Sequence, residues 1–252
     1  MDNNAGKKAV ENVSETLGPV LPVSFTTPEV DTLQRYMNSA KIYNEFGAGW
    51  TTLMALTSPG IERICSVESN SGWFREILKI PAVRMAVGVN KLTVTHVPFG
   101  GMHNNLGAPV GIGNIMTWPD YYWKSWSELS RDADLLLIDG RFRVACAFMA
   151  VLLLNNRDAV IMIHDAHREE YRVVEKYLDT TESVDTLNVY AMKKDIVPAD
   201  VLMDLRAYLF LPFDIEKSYD RQDYEGELAA AARLTEKYGS LRAIEAAIKE
   251  RS

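Results

Sequence analysis

Apolar positions along the chain follow two alternating rhythms. The short runs "KIYNEF", "IERICSVES", "KLTVTHVPF", "ADLLLIDG" and "DAVIMIHD" read as strands, several of them apolar on both faces. Between them, "WTTLMALTS", "SGWFREILKI", "DYYWKSWSELS", "FRVACAFMAVLLLN" and "EEYRVVEKYLDT" read as helices. An earlier helix is expected over "TPEVDTLQRYMNSA", with Thr27 as its N-cap and Pro28 at the first helical position. "TLNVYAMKK" and "LRAYLFLPF" read as the last two strands. Only "DIVPADVLMD" separates them, so the final strand can run antiparallel. The order predicts an α/β fold: a Rossmann-like, doubly wound sheet of about seven strands, mostly parallel, with helices on both faces. Three segments are expected: an N-terminal extension and helix over 1–37, the α/β domain over 38–213, and a helical tail over 214–252.

Composition narrows the function classes. The chain has 252 residues, 47% hydrophobic and 24% charged, the balance of an ordinary globular domain. Its net charge of −7 opposes a broad nucleic-acid footprint. Cys65 and Cys146 lie in apolar runs without metal or redox spacing. The polar start carries no apolar signal core, and the run from Val144 to Leu154 is too short to span a bilayer. A cytoplasmic location without a membrane partner is therefore expected. The Ala-, Glu-, Lys- and Arg-rich tail fits a packing element or a homodimer contact.

Ligands of open α/β sheets bind at the C-terminal ends of the strands. The first such end reads "NEFGAGWTT". Gly47, Ala48 and Gly49 let the backbone pass close to a ligand, and Thr51 and Thr52 can cap the following helix. The second strand ends on Glu68 and Ser69, where a carboxylate can accept hydrogen bonds from ribose hydroxyls. Glu45, inside the turn, would repel a pyrophosphate but suits the ammonium or sulfonium of S-adenosylmethionine. The third glycine of a dinucleotide fingerprint is missing, because Thr52 stands in its place.

"NEFGAGWTT", "SVES" and "ADLLLIDGRF" in this order resemble the class I S-adenosylmethionine-dependent methyltransferases, over roughly residues 38–212. "LLLIDGRFRVACAF" with "IMIHDAHREEY" is similar to a bacterial methyltransferase-like group. The resemblance implies a seven-strand sheet with its last strand antiparallel. It also implies that Glu45, Gly47 and Gly49 hold the amino-acid end of the cofactor and Glu68 the ribose. Asp139 is expected among the cofactor residues. Family members often offer an acidic residue to adenine after the third strand; "VTHVPFGGMHN" has none, and Phe99 is expected to stack there instead.

"IDGRFR" and "IHDAHR" close the fourth and fifth strands and bring Asp139, Arg141, Arg143, His164, Asp165, His167 and Arg168 to the same edge. Three readings stay open. The acids can be caps and ion-pair partners. His164 or His167 can take a proton from a methyl acceptor, with Asp165 orienting the ring and Arg141 assisting. The carboxylates ending these strands also resemble the divalent-metal ligands of small catechol-type O-methyltransferases, which implies Asp139 and Asp165 as metal ligands; the usual Asp-Asn pair is here His-Asp followed by Ala166, so a third oxygen ligand is missing and the metal is not favoured. Arg143 and Arg168, with Tyr171 and His103, are expected to bind an anionic substrate. The segment 100–123 suits a mobile cover. Its aromatics Trp118, Tyr121, Tyr122 and Trp123, with Trp126 just beyond, either face an acceptor or are buried beneath the loop.

The reading that unites these features is S-adenosylmethionine-dependent O-methylation of a small or sugar-type anionic acceptor. The alternatives are a methyltransferase-like binding module without catalysis and an NAD- or nucleotide-sugar-dependent oxidoreductase.

Overall fold

The computed structural model describes residues 21–98, 100, 102–103, 108–109 and 115–211. The expectations for Phe99, residues 1–20 and the tail from 212 onward lie outside the described residues, as does the side chain of His103.

Seven strands form one sheet: β1 (Ile42–Phe46), β2 (Arg63–Glu68), β3 (Leu92–His96), β4 (Leu135–Ile138), β5 (Val160–Ile163), β6 (Leu178–Val184) and β7 (Leu187–Met192). Their spatial order is β3-β2-β1-β4-β5-β7-β6. The first five are mutually parallel, and β7 runs antiparallel to both β5 and β6. The α/β fold class expected from the sequence is the one found.

The reason is clearest in β4. Leu135 and Leu137 face one core, while Leu136 and Ile138 face the other, and all four are buried. A strand covered on both sides cannot show polar alternation, so it appears as an unbroken apolar run. One face is covered by α1 (Thr27–Met37), α2 (Trp50–Thr57), α3 (Ser71–Lys79) and α4 (Pro81–Gly88). The other is covered by α5 (Pro119–Trp123), α7 (Arg143–Leu153) and α8 (Pro198–Leu205), with α6 (Glu128–Arg131) leading into β4.

The C-terminal third differs from the sequence reading. "LDTTESV" is strand β6, not the end of a helix, and only 3-10 turns occupy Glu169–Lys176. β6 is an edge strand with mostly polar, solvent-facing side chains and a bulge near Thr180, so it lacks a core signature. Asp185, with φ of 50°, makes the tight turn into β7. The described part of "LRAYLFLPF", 205–211, is not a strand. Leu205 ends α8, a 3-10 turn follows over Arg206–Tyr208, and Leu205, Leu209 and Phe210 fill the α7 face.

Two smaller corrections concern helices. "PAVRMAVG" forms α4, with Pro81 at its start. The N-cap of α1 is Thr26, one residue before the expected Thr27. Thr26 accepts from the Glu29 amide, and the Glu29 carboxylate accepts from the Thr26 amide at 2.8 Å. Val30, Leu33 and Met37 of α1 pack into the same core as β1 and β2, so this helix is continuous with the sheet body.

Candidate functional site

The strand registers place Phe46 beside Val67 and Ile138, and Ile138 beside Ile163. The ends of β1, β2, β4 and β5 are therefore level. Strand order reverses between β1 and β4, and the crevice of such a sheet opens there.

The turn after β1 is shaped by Gly47. Its φ is 99°, and a Cβ there would lie 2.9 Å from the Gly140 amide nitrogen. Only glycine meets both demands. Gly49 differs: its backbone is extended, and a Cβ there would meet nothing nearer than the Trp73 indole nitrogen at 4.0 Å. The outer face of the turn at Gly49 is thus open to a ligand. Trp73 reaches over from α3 and donates to the Ala48 carbonyl at 2.7 Å.

Behind the turn lies Glu45, with no solvent exposure. Its Oε2 accepts from the Tyr43 hydroxyl at 2.8 Å and the Thr51 hydroxyl at 2.7 Å. Its Oε1 accepts from Ser66 at 2.8 Å and from Thr52. Thr52 in turn accepts from the Gly49 amide at 2.9 Å. Burial pushes the Glu45 carboxyl up, and the bonds from Thr52, Thr51, Ser66 and Tyr43 pull against it. Both carboxylate oxygens are occupied, so a ligand at the turn meets the backbone that Glu45 holds rather than the carboxylate itself.

Glu68 stands next to it at the end of β2. Its Oε1 accepts from the Ser69 amide at 2.7 Å and the Asn70 amide at 2.6 Å. Burial lifts its carboxyl to about 7 despite the Asn70, Ser69 and Ala48 amides, and the Glu45 charge adds to the rise. The register pairs Glu68 with His96 at the end of β3, where the His96 ring stacks on Phe74 with centroids 4.7 Å apart.

The ends of β4 and β5 are tied by Arg143, the first residue of α7 and 5% exposed. It donates to the Gly140 carbonyl at 3.0 Å, to the Asp139 carbonyl and to the His164 carbonyl. It also pairs with Asp165 Oδ2 at 3.0 Å and Asp139 Oδ1 at 3.4 Å. Its expected role toward an anionic substrate does not match this inward placement. Asp165 has a left-handed backbone and also holds Arg168 at 3.1 Å. Burial raises the Asp165 carboxyl, but Arg143, His164, Arg168 and His167 outweigh it and hold it below its ordinary value.

His164 is buried. Its Nδ1 lies 2.8 Å from Asp139 Oδ1, and its ring stacks on Phe25 with centroids 4.1 Å apart. His167 is exposed, Arg141 and Arg168 are half-buried, and Tyr171 is a core residue beneath Arg143 and Arg168. Among the described residues no group of three or more His, Cys, Asp or Glu side chains is placed to hold a metal ion. Arg143 lies against both Asp139 and Asp165, where a divalent cation would meet a like charge.

The aromatic set is largely core. Trp118, Tyr121, Tyr122 and Trp126 are buried, and Trp123 alone of this set is exposed. The Tyr121 hydroxyl lies against Gly140, where an added Cβ would meet it at 1.9 Å. The Tyr122 hydroxyl donates to the Leu209 carbonyl at 2.7 Å. Gly140, Tyr43, Ser66, Trp73, Phe25 and Glu29 are site residues that the sequence reading passed over. Of these, Gly140 had a visible signal, a glycine directly after a strand-ending acid. Glu29 also had one, because "TTPE" is a capping box.

Comparison with protein-family models found no match, nor did comparison with curated sequences. Among solved structures, a methyltransferase-like protein from Silicibacter pomeroyi superposes with a TM-score of 0.64 at 24% identity, covering 76% of this chain and 98% of that one. The fold is that of the class I methyltransferases. Lower TM-scores join the chain to a SAH-bound methyltransferase from Podospora anserina (0.45, 10% identity, 77% and 97% covered). An O-methyltransferase from Bacillus cereus in complex with SAH gives 0.43 at 14% identity, with 77% and 92% covered. No helix among the described residues of this methyltransferase fold is long and apolar enough to cross a membrane.

Proposed function

We propose that the protein is an S-adenosylmethionine-dependent methyltransferase acting on an oxygen of a small or sugar-type anionic acceptor. One observation carries this reading: the glycine turn at the strand-order reversal is backed by one buried carboxylate, Glu45, and flanked by another, Glu68. Two acids at this place oppose a pyrophosphate and suit a cationic methionine-type ligand with a ribose. When bound, the cofactor supplies a methyl group on a sulfonium. The open face at Gly49 receives its amino-acid end, with Ala48, Thr51 and Thr52 fixing the turn. The Glu68 carboxylate accepts from the ribose hydroxyls, with Ser69 and Asn70 holding one of its oxygens.

On the acceptor side, Arg141 and Arg168 are the half-buried cations at the ends of β4 and β5 and supply the affinity for an anion. His167 is exposed and available to take the acceptor proton, whereas His164 is enclosed. Asp139, Arg143 and Asp165 form the frame beneath them, and Tyr171 supports that frame. A homodimer and a cytoplasmic setting remain part of this proposal.

Calorimetric titration with S-adenosylmethionine, S-adenosylhomocysteine and NAD tests the reading. Heat with the first two and none with NAD is expected. Heat with NAD alone would replace it with an oxidoreductase, and no heat with any would leave a binding module.

A further inference from the structure

His164 is a buried titratable group at the strand ends, and its surroundings come from four elements. Asp139 approaches Nδ1 from the end of β4 at 2.8 Å. Glu29 approaches Nε2 from α1 at 3.6 Å, too long for a hydrogen bond but within ion-pair range. Asp165 follows His164 directly after β5, and Arg143 donates from α7 to the His164 carbonyl. Phe25, just ahead of α1, covers one face of the ring.

Glu29 is itself fixed. Its Oε1 accepts from the Thr186 amide at 2.8 Å and the Thr186 hydroxyl at 2.7 Å, in the turn between β6 and β7. Its Oε2 accepts from the Thr26 amide. A carboxylate that accepts these three hydrogen bonds is held ionised. A neutral imidazole would turn a lone pair toward one of two carboxylates, whichever tautomer it adopts. Only the doubly protonated ring gives an N–H to both sides.

We infer that Glu29 is a positioning residue of this site, which with Asp139 holds His164 as a fixed cation and removes it from service as a base. The N-terminal helix is thus part of the site's electrostatics. Burial pulls the imidazole down, but the bond and charge of Asp139 and the charge of Asp165 outweigh it and the opposing Arg143, leaving the group above its ordinary value. The Glu29 carboxyl responds in kind: burial raises it, and Thr186, Thr26 and His164 together bring it below its ordinary value. The consequence for methyl transfer rests on the function proposed above; the charge state of His164 does not.

The experiment follows the His164 ring by NMR in protein carrying labelled histidine, across the range in which histidine titrates, with His164→Gln to assign the signal. Glu29→Gln should lower the proton affinity of His164 roughly tenfold, and Glu29→Asp, which keeps the charge but draws it back, should lower it less. An unchanged titration in Glu29→Gln, with or without a drop in melting temperature, would overturn the inference. In the unaltered protein the Glu29 carboxyl carbon should shift as His164 loses its proton, and a flat response would overturn it even if both variants failed to fold. Failure of S-adenosylhomocysteine to bind would sink the proposed function and leave this result standing.

Discussion

Along one edge of the sheet, two neighbouring regions treat their charges in opposite ways. At the ends of β1 and β2, Glu45 and Glu68 are satisfied by hydroxyls and backbone amides, with no arginine or lysine among their hydrogen-bond partners in the described residues. At the ends of β4 and β5, Asp139 and Asp165 are neutralised by the full charges of Arg143, Arg168 and His164. The first region has an open face at Gly49; the second is knitted shut around Arg143. Hydroxyls and amides bring no opposing charge, so the first region suits a cation that draws its raised carboxyls into the ionised form. Ion pairs cancel that charge, so the second serves as a frame, and Arg168 belongs to it through Asp165.

The largest expected effect comes from breaking the frame. Arg143→Ala would leave Asp165, Asp139 and three carbonyls without their shared donor. Removing one partner of a buried ion pair costs about 3 kcal/mol. A melting temperature lower by roughly 10 °C is expected. If recognition instead depended on Arg143, the affinity for an anionic acceptor would collapse while the melting temperature held.

Gly47→Ala attacks the other region. A side chain at φ of 99° is strained by about 2 kcal/mol, and its Cβ would press on the Gly140 backbone. The turn would have to shift, and S-adenosylhomocysteine binding should weaken tenfold or more, roughly 1.4 kcal/mol at the least. Calorimetry reads this directly. Gly49→Ala, with an ordinary φ and open space, should leave the fold intact and reduce binding only through contact with the ligand. Equal damage from both changes would show that the turn does not face a ligand at Gly49.

The same contrast explains what could be read from the chain. The β1 turn is built almost wholly from residues close in sequence: Tyr43, Glu45, Gly47, Gly49, Thr51 and Thr52. Their spacing carries the geometry. The β4–β5 region depends on Glu29 and Phe25, which lie far from His164 in sequence and meet it only after α1 packs on the β6–β7 hairpin, where Thr186 holds Glu29. The inward turn of Arg143 depends on Asp139, Asp165 and the His164 carbonyl, partners on two strand ends that its own helix-starting position does not reveal. β4 and β5 were plain because both faces are buried. β6 was missed because its solvent-facing side chains leave no apolar alternation, and the amphipathic run before it extends the helical rhythm.

The smallest and sharpest effect is that of pH on Glu68. Its carboxyl is lifted to about 7, chiefly by burial. A raised carboxyl favours the neutral form in the folded chain, so its contribution to stability is greatest below the ordinary carboxylate range and is lost as pH rises to about 7. Cofactor binding has the opposite sign, because ribose hydroxyls donate best to the ionised form. Affinity for S-adenosylhomocysteine should therefore rise, and melting temperature fall, as pH climbs through neutrality. Glu68→Gln removes both slopes: it should melt above the unaltered protein at alkaline pH and bind the ligand roughly tenfold more weakly there. Should the affinity slope survive in Glu68→Gln, the titrating group would lie elsewhere, with His164 across the crevice the next to examine. The carboxylate-lined half of the edge would then owe its pH response to the ion-paired half.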